Sequence, residues 1–89
     1  MTVRKRYTFT GSVQGVGFRW RARQAASLYD CTGWIRNEWD GSVVMEIQGT
    51  MEAIDSVIAA IGNGSFIHIE NMEERIVPLL DGECGFMTE

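Results

Sequence analysis

Segments with an apolar period of two residues alternate with segments of helical period along this 89-residue chain. Strand-like alternation is found in four segments, residues 6–13, 33–39, 42–48 and 66–70. Helical spacing is found in two, residues 19–29 and 51–61. The order is β-α-β-β-α-β, and two helices cannot cover both faces of a sheet in so short a chain. This order of elements predicts one α+β domain over residues 1–89, with a ferredoxin-like antiparallel sheet and both helices on one face.

Local signals mark where the predicted elements end. The Asp40-Gly41 pair is typical of a tight hairpin between the second and third strands. Thr50 is a predicted N-cap of the second helix, and the Gly62-Asn63-Gly64 run predicts its end. The chain after residue 70 is ambiguous, since residues 76–80 or 85–87 could each supply a last strand or edge segment.

The charge is uneven, although the net charge is only −4. Residues 1–29 hold six basic residues and no acidic one, whereas residues 30–89 hold all twelve acidic residues and two arginines. The acidic average argues against a dedicated nucleic-acid binder, and the basic first third still allows a site for a small anion. We interpret Arg4-Lys5-Arg6 as a solvated N-terminal run.

The sparse reactive residues indicate no redox, metal or triad chemistry. Cys31 and Cys84 are far apart and form no CxxC motif, so we expect two reduced thiols. His68 has no metal-ligand spacing and no G-x-S-x-G partner, so we expect neither a metal nor a cofactor. No apolar run reaches the roughly 18 residues of a membrane span, and no secretory signal is recognisable. The expected location is cytoplasmic, the expected state a monomer without membrane or nucleic-acid partners.

The most informative stretch runs from Gly11 to Arg19, where a strand ends, a glycine-containing turn follows and a helix begins. Glycine tolerates positive φ, so successive amides can point inward and bind an anion, and the first amides of a helix add donors. Arg19 adds a planar fork that can bind a phosphoryl group. The pattern predicts a phosphate cradle, with the alternative of a glycine-rich turn beside a solvated arginine. Its predicted binding residues are Gln14, Gly15, Val16, Gly17 and Phe18. The turn lacks the Gly-Lys-Ser/Thr of a Walker loop and the third glycine of a dinucleotide-binding loop.

A second motif, G-W-I-R-N-x-x-D-G-x-V over residues 33–43, ends a strand with Asn37 just before the predicted hairpin. Together with G-x-V-Q-G-V-x-F-R over residues 11–19, it resembles the signature of the acylphosphatase family. The resemblance implies hydrolysis of acyl phosphates to carboxylate and inorganic phosphate, without a metal or a covalent intermediate. It further implies that Arg19 binds the phosphate and stabilises its charge, that the Gln14–Phe18 amides complete the cradle, and that Asn37 holds the attacking water. The likeness is clear over residues 5–62 and weak in the C-terminal third.

Two other functions remain open from the sequence. The same cradle could bind a small anion, such as an acyl or carbamoyl phosphate, without useful turnover. An RNA-binding ferredoxin-like domain would need paired aromatic side chains exposed on the central strands, and Tyr7 and Phe9 are candidates for these.

Overall fold

The computed structural model describes all of residues 1–89. The elements follow in the order β1 (Thr2–Ser12), α1 (Phe18–Leu28), β2 (Thr32–Asn37), β3 (Val43–Thr50), α2 (Met51–Gly62), β4 (His68–Val77) and β5 (Phe86–Thr88). The strands form one sheet in the order β4-β1-β3-β2-β5, on which the two helices pack. The predicted ferredoxin-like α+β fold is therefore confirmed.

The core lies between the helices and the inner face of the sheet. It consists of alternate residues of the strands and the inward stripe of each helix, and its largest members are Tyr7, Phe9, Phe18, Ile35, Met45, Ile47, Ile54 and Ile61. Phe9 packs against both Tyr7 and Phe18, with ring centroids 5.7 and 4.8 Å away. Because Tyr7 and Phe9 are buried under the helices, they cannot act as exposed platforms for RNA bases.

The interpretation of Arg4-Lys5-Arg6 as a solvated run is wrong. These residues lie inside β1, and Arg4 is only 2% exposed. Its guanidinium donates to Glu46 of β3 at 2.8 Å and to both carboxylate oxygens of Glu83 at 2.7 and 3.1 Å. A buried charge is tolerated when it is paired and hydrogen-bonded in this way. Hydropathy could not reveal these partners, since they come from positions 42 and 79 residues away.

The sheet has a fifth strand and is mixed. β4 is longer than expected and continues to Val77, pairing antiparallel with β1 at one edge. β5 pairs parallel with β2 at the opposite edge. Residues 78–85, here called the crossing segment, connect these two edges and pass over the central strands. Gln48 of β3 fixes the crossing segment by exchanging two hydrogen bonds with the main chain of Leu80.

The turns around the helices follow the sequence signals closely. The Thr50 hydroxyl accepts a hydrogen bond from the Ala53 amide at 3.1 Å, which confirms the predicted N-cap of α2. β2 ends at Asn37 and β3 begins at Val43, so the predicted tight turn at Asp40-Gly41 is instead part of a five-residue connection, in which the Gly41 amide donates to the Glu38 carbonyl. Neither helix has the length and apolarity needed to cross a membrane.

Candidate active site

A pocket of about 180 Å³ lies where the start of α1 faces the end of β2. Its walls are formed by Val13, Gly15, Gly17, Phe18, Arg19, Trp20 and Asn37. The fold thus brings the glycine-containing loop, Arg19 and Asn37 together, although the rest of α1 and most of β2 lie between Arg19 and Asn37 in the sequence. A larger pocket of about 430 Å³ lies between α1 and β5, but none of the predicted site residues lines it.

The loop before α1 has the backbone shape of an anion-binding site. Gly15 and Gly17 have φ of +72° and +81°, and Gly17 is the N-cap of α1. α1 has no side-chain cap and no acidic residue in its first turn. The main-chain amides from Gln14 to Arg19 donate no hydrogen bond to another group of the protein. These amides are thus available as donors at the positive end of the helix dipole.

The side chain of Gln14 binds the protein itself, whereas the loop as a whole was expected to bind phosphate. Its amide donates to the Glu38 carbonyl at 2.6 Å and to the Ser42 carbonyl at 2.9 Å. Both acceptors belong to the turn between β2 and β3, directly after Asn37. Gln14 therefore ties the loop to the hairpin that carries Asn37, an arrangement that the sequence analysis missed.

Arg19 lies in the first turn of α1 and is half-buried. Its Nη1 donates to the main-chain oxygen of Glu89 at 2.6 Å. The amide of Glu89 in turn donates to the Ile35 carbonyl of β2 at 2.8 Å, so this acceptor is held by the sheet edge. A guanidinium has five N–H donors, so Arg19 keeps others for a ligand in the pocket.

Asn37 is the last residue of β2, and the register of the sheet places it opposite Val43. Asn37 is half-buried, and none of the side-chain hydrogen bonds at this end of the sheet involves its amide. The turn that follows is well fixed, because the Asp40 carboxylate accepts from both the amide and the hydroxyl of Ser42 at 2.9 and 2.7 Å. These hydrogen bonds keep the pKa of Asp40 below its usual value.

The acidic residue that follows Asn37 is paired with an arginine. The Glu38 carboxylate accepts from Nε of Arg36 at 3.0 Å, which offsets the negative charge beside the pocket. Nowhere in the chain do three His, Cys, Asp or Glu side chains form a group that could hold a metal ion.

Two residues, Val16 and Trp20, lie differently around the pocket from what the sequence alone predicted. Val16 does not line the pocket; it packs against the core and faces a neighbouring pocket. Trp20 forms part of the wall although its side chain is 64% exposed. Its position next to Arg19 was the only sequence signal for this placement.

Comparisons with known proteins agree on one family. A sequence model of the acylphosphatase family matches residues 5–86. An acylphosphatase of Salinibacter ruber is 53% identical over 55 residues, which cover 62% of this chain and 58% of that protein. An acylphosphatase of Clostridium perfringens is 36% identical over 87 residues, which cover 97% of this chain and 98% of that protein.

The fold is also similar to that of a solved structure. The crystal structure of an acylphosphatase from Bacillus subtilis superimposes with a TM-score of 0.89 at 30% sequence identity. The superposition covers 100% of this chain and 99% of that one, so it includes the C-terminal third in which the sequence motifs are weak.

Proposed function

The chain belongs to the acylphosphatase family, and on that premise we propose that it is an enzyme that hydrolyses acyl phosphates to a carboxylate and inorganic phosphate. We propose that residues 1–89 act as one domain, without a metal or other cofactor. The observation that carries the proposal is the convergence of unpaired loop amides, Arg19 and Asn37 on one pocket.

In this proposal the phosphoryl group lies in the loop before α1. The unpaired amides from Gln14 to Phe18 donate to its oxygens, and the positive φ of Gly15 and Gly17 lets these amides approach an anion. Arg19 adds a charged donor, which stabilises the oxygens as the P–O bond to the acyl group weakens. Its hydrogen bond to the main-chain oxygen of Glu89 restricts the direction of the guanidinium.

Asn37 orients the attacking water, because the hydrogen bonds of the neighbouring turn leave its side-chain amide free for a ligand. The water oxygen forms a bond to phosphorus, and the P–O bond to the acyl group breaks with its electron pair passing to the carboxylate. The proton lost by the water passes to a phosphate oxygen. A carboxylate is a good leaving group, so no general acid is required, and positioning and electrostatics supply the catalysis.

The test is hydrolysis of benzoyl phosphate in excess EDTA by the parent protein and by Asn37→Ala. We expect turnover in the parent and a fall of about 10²-fold in kcat for Asn37→Ala, with KM changed less, because the target of Asn37 is water. Asn71→Ala is the matched control, because Asn71 is exposed on β4 and does not line the pocket. Binding of acyl phosphate without turnover in the parent would instead identify a small-anion binding module.

A further inference from the structure

A second pocket lies directly beside the proposed phosphate site. It has a volume of about 250 Å³ and is lined by Val16, Gly17, Trp20, Arg21, Gly64, Ser65 and Phe66. Gly17 and Trp20 line both pockets, so the two cavities share a wall. We call this second cavity the side pocket.

The side pocket is walled by aromatic side chains that the fold leaves exposed. Trp20 is 64% exposed and Phe66 is 80% exposed, and neither is needed to complete the core. Large aromatic side chains gain free energy when they are covered by an apolar or aromatic ligand. Their convergence on one cavity next to the site suggests a surface that is covered when a ligand binds.

The loop that carries Phe66 is held in place. The Gly64 amide donates to the Ile61 carbonyl, and the Ile67 amide donates to the Gly64 carbonyl, at 3.1 and 3.2 Å. A Cβ at Gly64 would lie only 2.6 Å from Cδ1 of Ile67 and 2.9 Å from Cδ of Arg21, so the loop packs closely on α1. Nε of Arg21 donates to the Ala60 carbonyl at 3.1 Å and fixes the same junction.

The direction of the reaction points toward the side pocket. In a phosphoryl transfer, the attacking and leaving oxygens lie roughly in line on opposite sides of phosphorus. Asn37, which orients the water in the proposed function, lines the phosphate pocket but not the side pocket. An acyl group that leaves on the side away from the water leaves away from Asn37, and Gly17 and Trp20, which line both pockets, connect the phosphate pocket to the side pocket.

We propose that the side pocket is the acyl-binding subsite and that Trp20 and Phe66 make the enzyme selective for acyl phosphates with aromatic or large apolar acyl groups. The inference rests on the proposed function and specifies its substrate class. A cavity of roughly 150 Å³ is enough to hold benzene, so the side pocket is large enough for a benzoyl group. No carboxylate lines it, and its one charged residue, Arg21, is engaged with α2.

The test compares kcat/KM for benzoyl phosphate and acetyl phosphate in the parent, Phe66→Ala, Phe66→Leu and Trp20→Ala. We expect Phe66→Ala to lower the benzoyl-to-acetyl ratio about tenfold, chiefly through KM for benzoyl phosphate, and Phe66→Leu to restore part of it. Trp20→Ala lowers the ratio as well. Trp39→Ala is the control, because Trp39 is 98% exposed and lines neither pocket, and we expect it to leave the ratio unchanged.

The outcomes separate this inference from the proposed function. A parent that hydrolyses both substrates, with a ratio that Phe66→Ala and Trp20→Ala leave unchanged, overturns the acyl subsite alone. An equal fall for both substrates in these variants also overturns it. A parent that hydrolyses neither substrate overturns the proposed function, and the subsite with it.

Discussion

Nη1 of Arg19 lies 2.6 Å from the main-chain oxygen of Glu89, so the start of α1 is connected to the residue that follows β5. Glu89 is itself bound to Ile35 of β2. The guanidinium of Arg19, which would bind the phosphate, is thus oriented both by α1 and by a residue attached to the sheet.

Replacing Arg19 tests its proposed role directly. Arg19→Ala should lower kcat/KM for benzoyl phosphate at least about 10²-fold, because a charged donor to the developing negative charge is lost. Arg19→Lys should restore only part of the rate, since an ammonium cannot reproduce the planar fork. Arg23→Ala, one turn further along α1 and exposed, is the control and should stay near the parent rate. A fully active Arg19→Ala enzyme would contradict the assignment.

Gln14 should behave as a positioning residue. Gln14→Leu removes the two hydrogen bonds to the β2–β3 turn, and we expect the free energy of unfolding to fall by about 1–2 kcal/mol. The loop and Asn37 would no longer be held in register, so kcat should fall several-fold, more than KM rises. Urea denaturation and steady-state kinetics measure the two effects. Gln24→Leu on the exposed face of α1 should change neither, and a Gln14→Leu enzyme with parental kcat would contradict the positioning role.

Stability should depend on the charge of Glu83. Its hydrogen bonds with Arg4 lower the pKa of the Glu83 carboxyl below its ordinary value of 4.5. The stabilisation is therefore complete above the unfolded-state pKa and is lost as the pH falls through the lower folded-state pKa. Glu83→Gln should reduce the free energy of unfolding by about 2 kcal/mol at pH 7, and the difference from the parent should shrink at pH 3.

Denaturant unfolding at the two pH values checks this expectation. Glu73→Gln is the control, since Glu73 is exposed on β4 and forms no ion pair. A difference between Glu83→Gln and the parent that is the same at pH 3 and pH 7 would show that the charge of Glu83 does not stabilise the fold.

The two cysteines should differ in reactivity. Cys31 is 4% exposed, and burial, assisted by the charge of Asp30, raises the pKa of its thiol, whereas Cys84 is exposed. Because the thiolate is the reacting form, iodoacetamide at pH 8 should modify Cys84 at least tenfold faster than Cys31 in the folded protein. Peptide mass spectrometry after timed quenching measures both rates. Cys84→Ser should retain only the slow reaction, and equal rates in the parent would show that Cys31 is accessible.

The sequence predicted the helices well because their signals are local, whereas the connection between β2 and β3 is longer than the Asp40-Gly41 pair predicts. α1 and α2 begin and end within one or two residues of the predicted bounds, and Thr50 caps α2 as expected. The path of β4 was harder to predict, since its polar residues 70–75 form a strand only by pairing with β1. The burial of Arg4 likewise depends on Glu83 in the crossing segment, which no local pattern reveals.

The candidate site also has some features that the sequence predicted and others that only the tertiary fold shows. The loop glycines and Arg19 could be predicted as an anion site from the residues themselves, Asn37 was implied by the resemblance to the acylphosphatase family, and the fold places all of them around one pocket. The link from Gln14 to the hairpin, the partner of Arg19 and the side pocket were not predictable. Each arises where two segments distant in the chain meet, so it follows from the tertiary fold and not from the pattern of either segment.

The position of β1 between β4 and β3 has a consequence for how the molecule folds. Residues 2–12 are synthesised before both of their neighbours in the sheet, since β3 and β4 come from residues 43–77. Such long-range pairing raises the contact order and slows folding relative to a helical domain of the same length. β1 therefore cannot pair until β3 and β4 have been synthesised. The pocket lined by Arg19 and Asn37 forms only after most of these residues have left the ribosome.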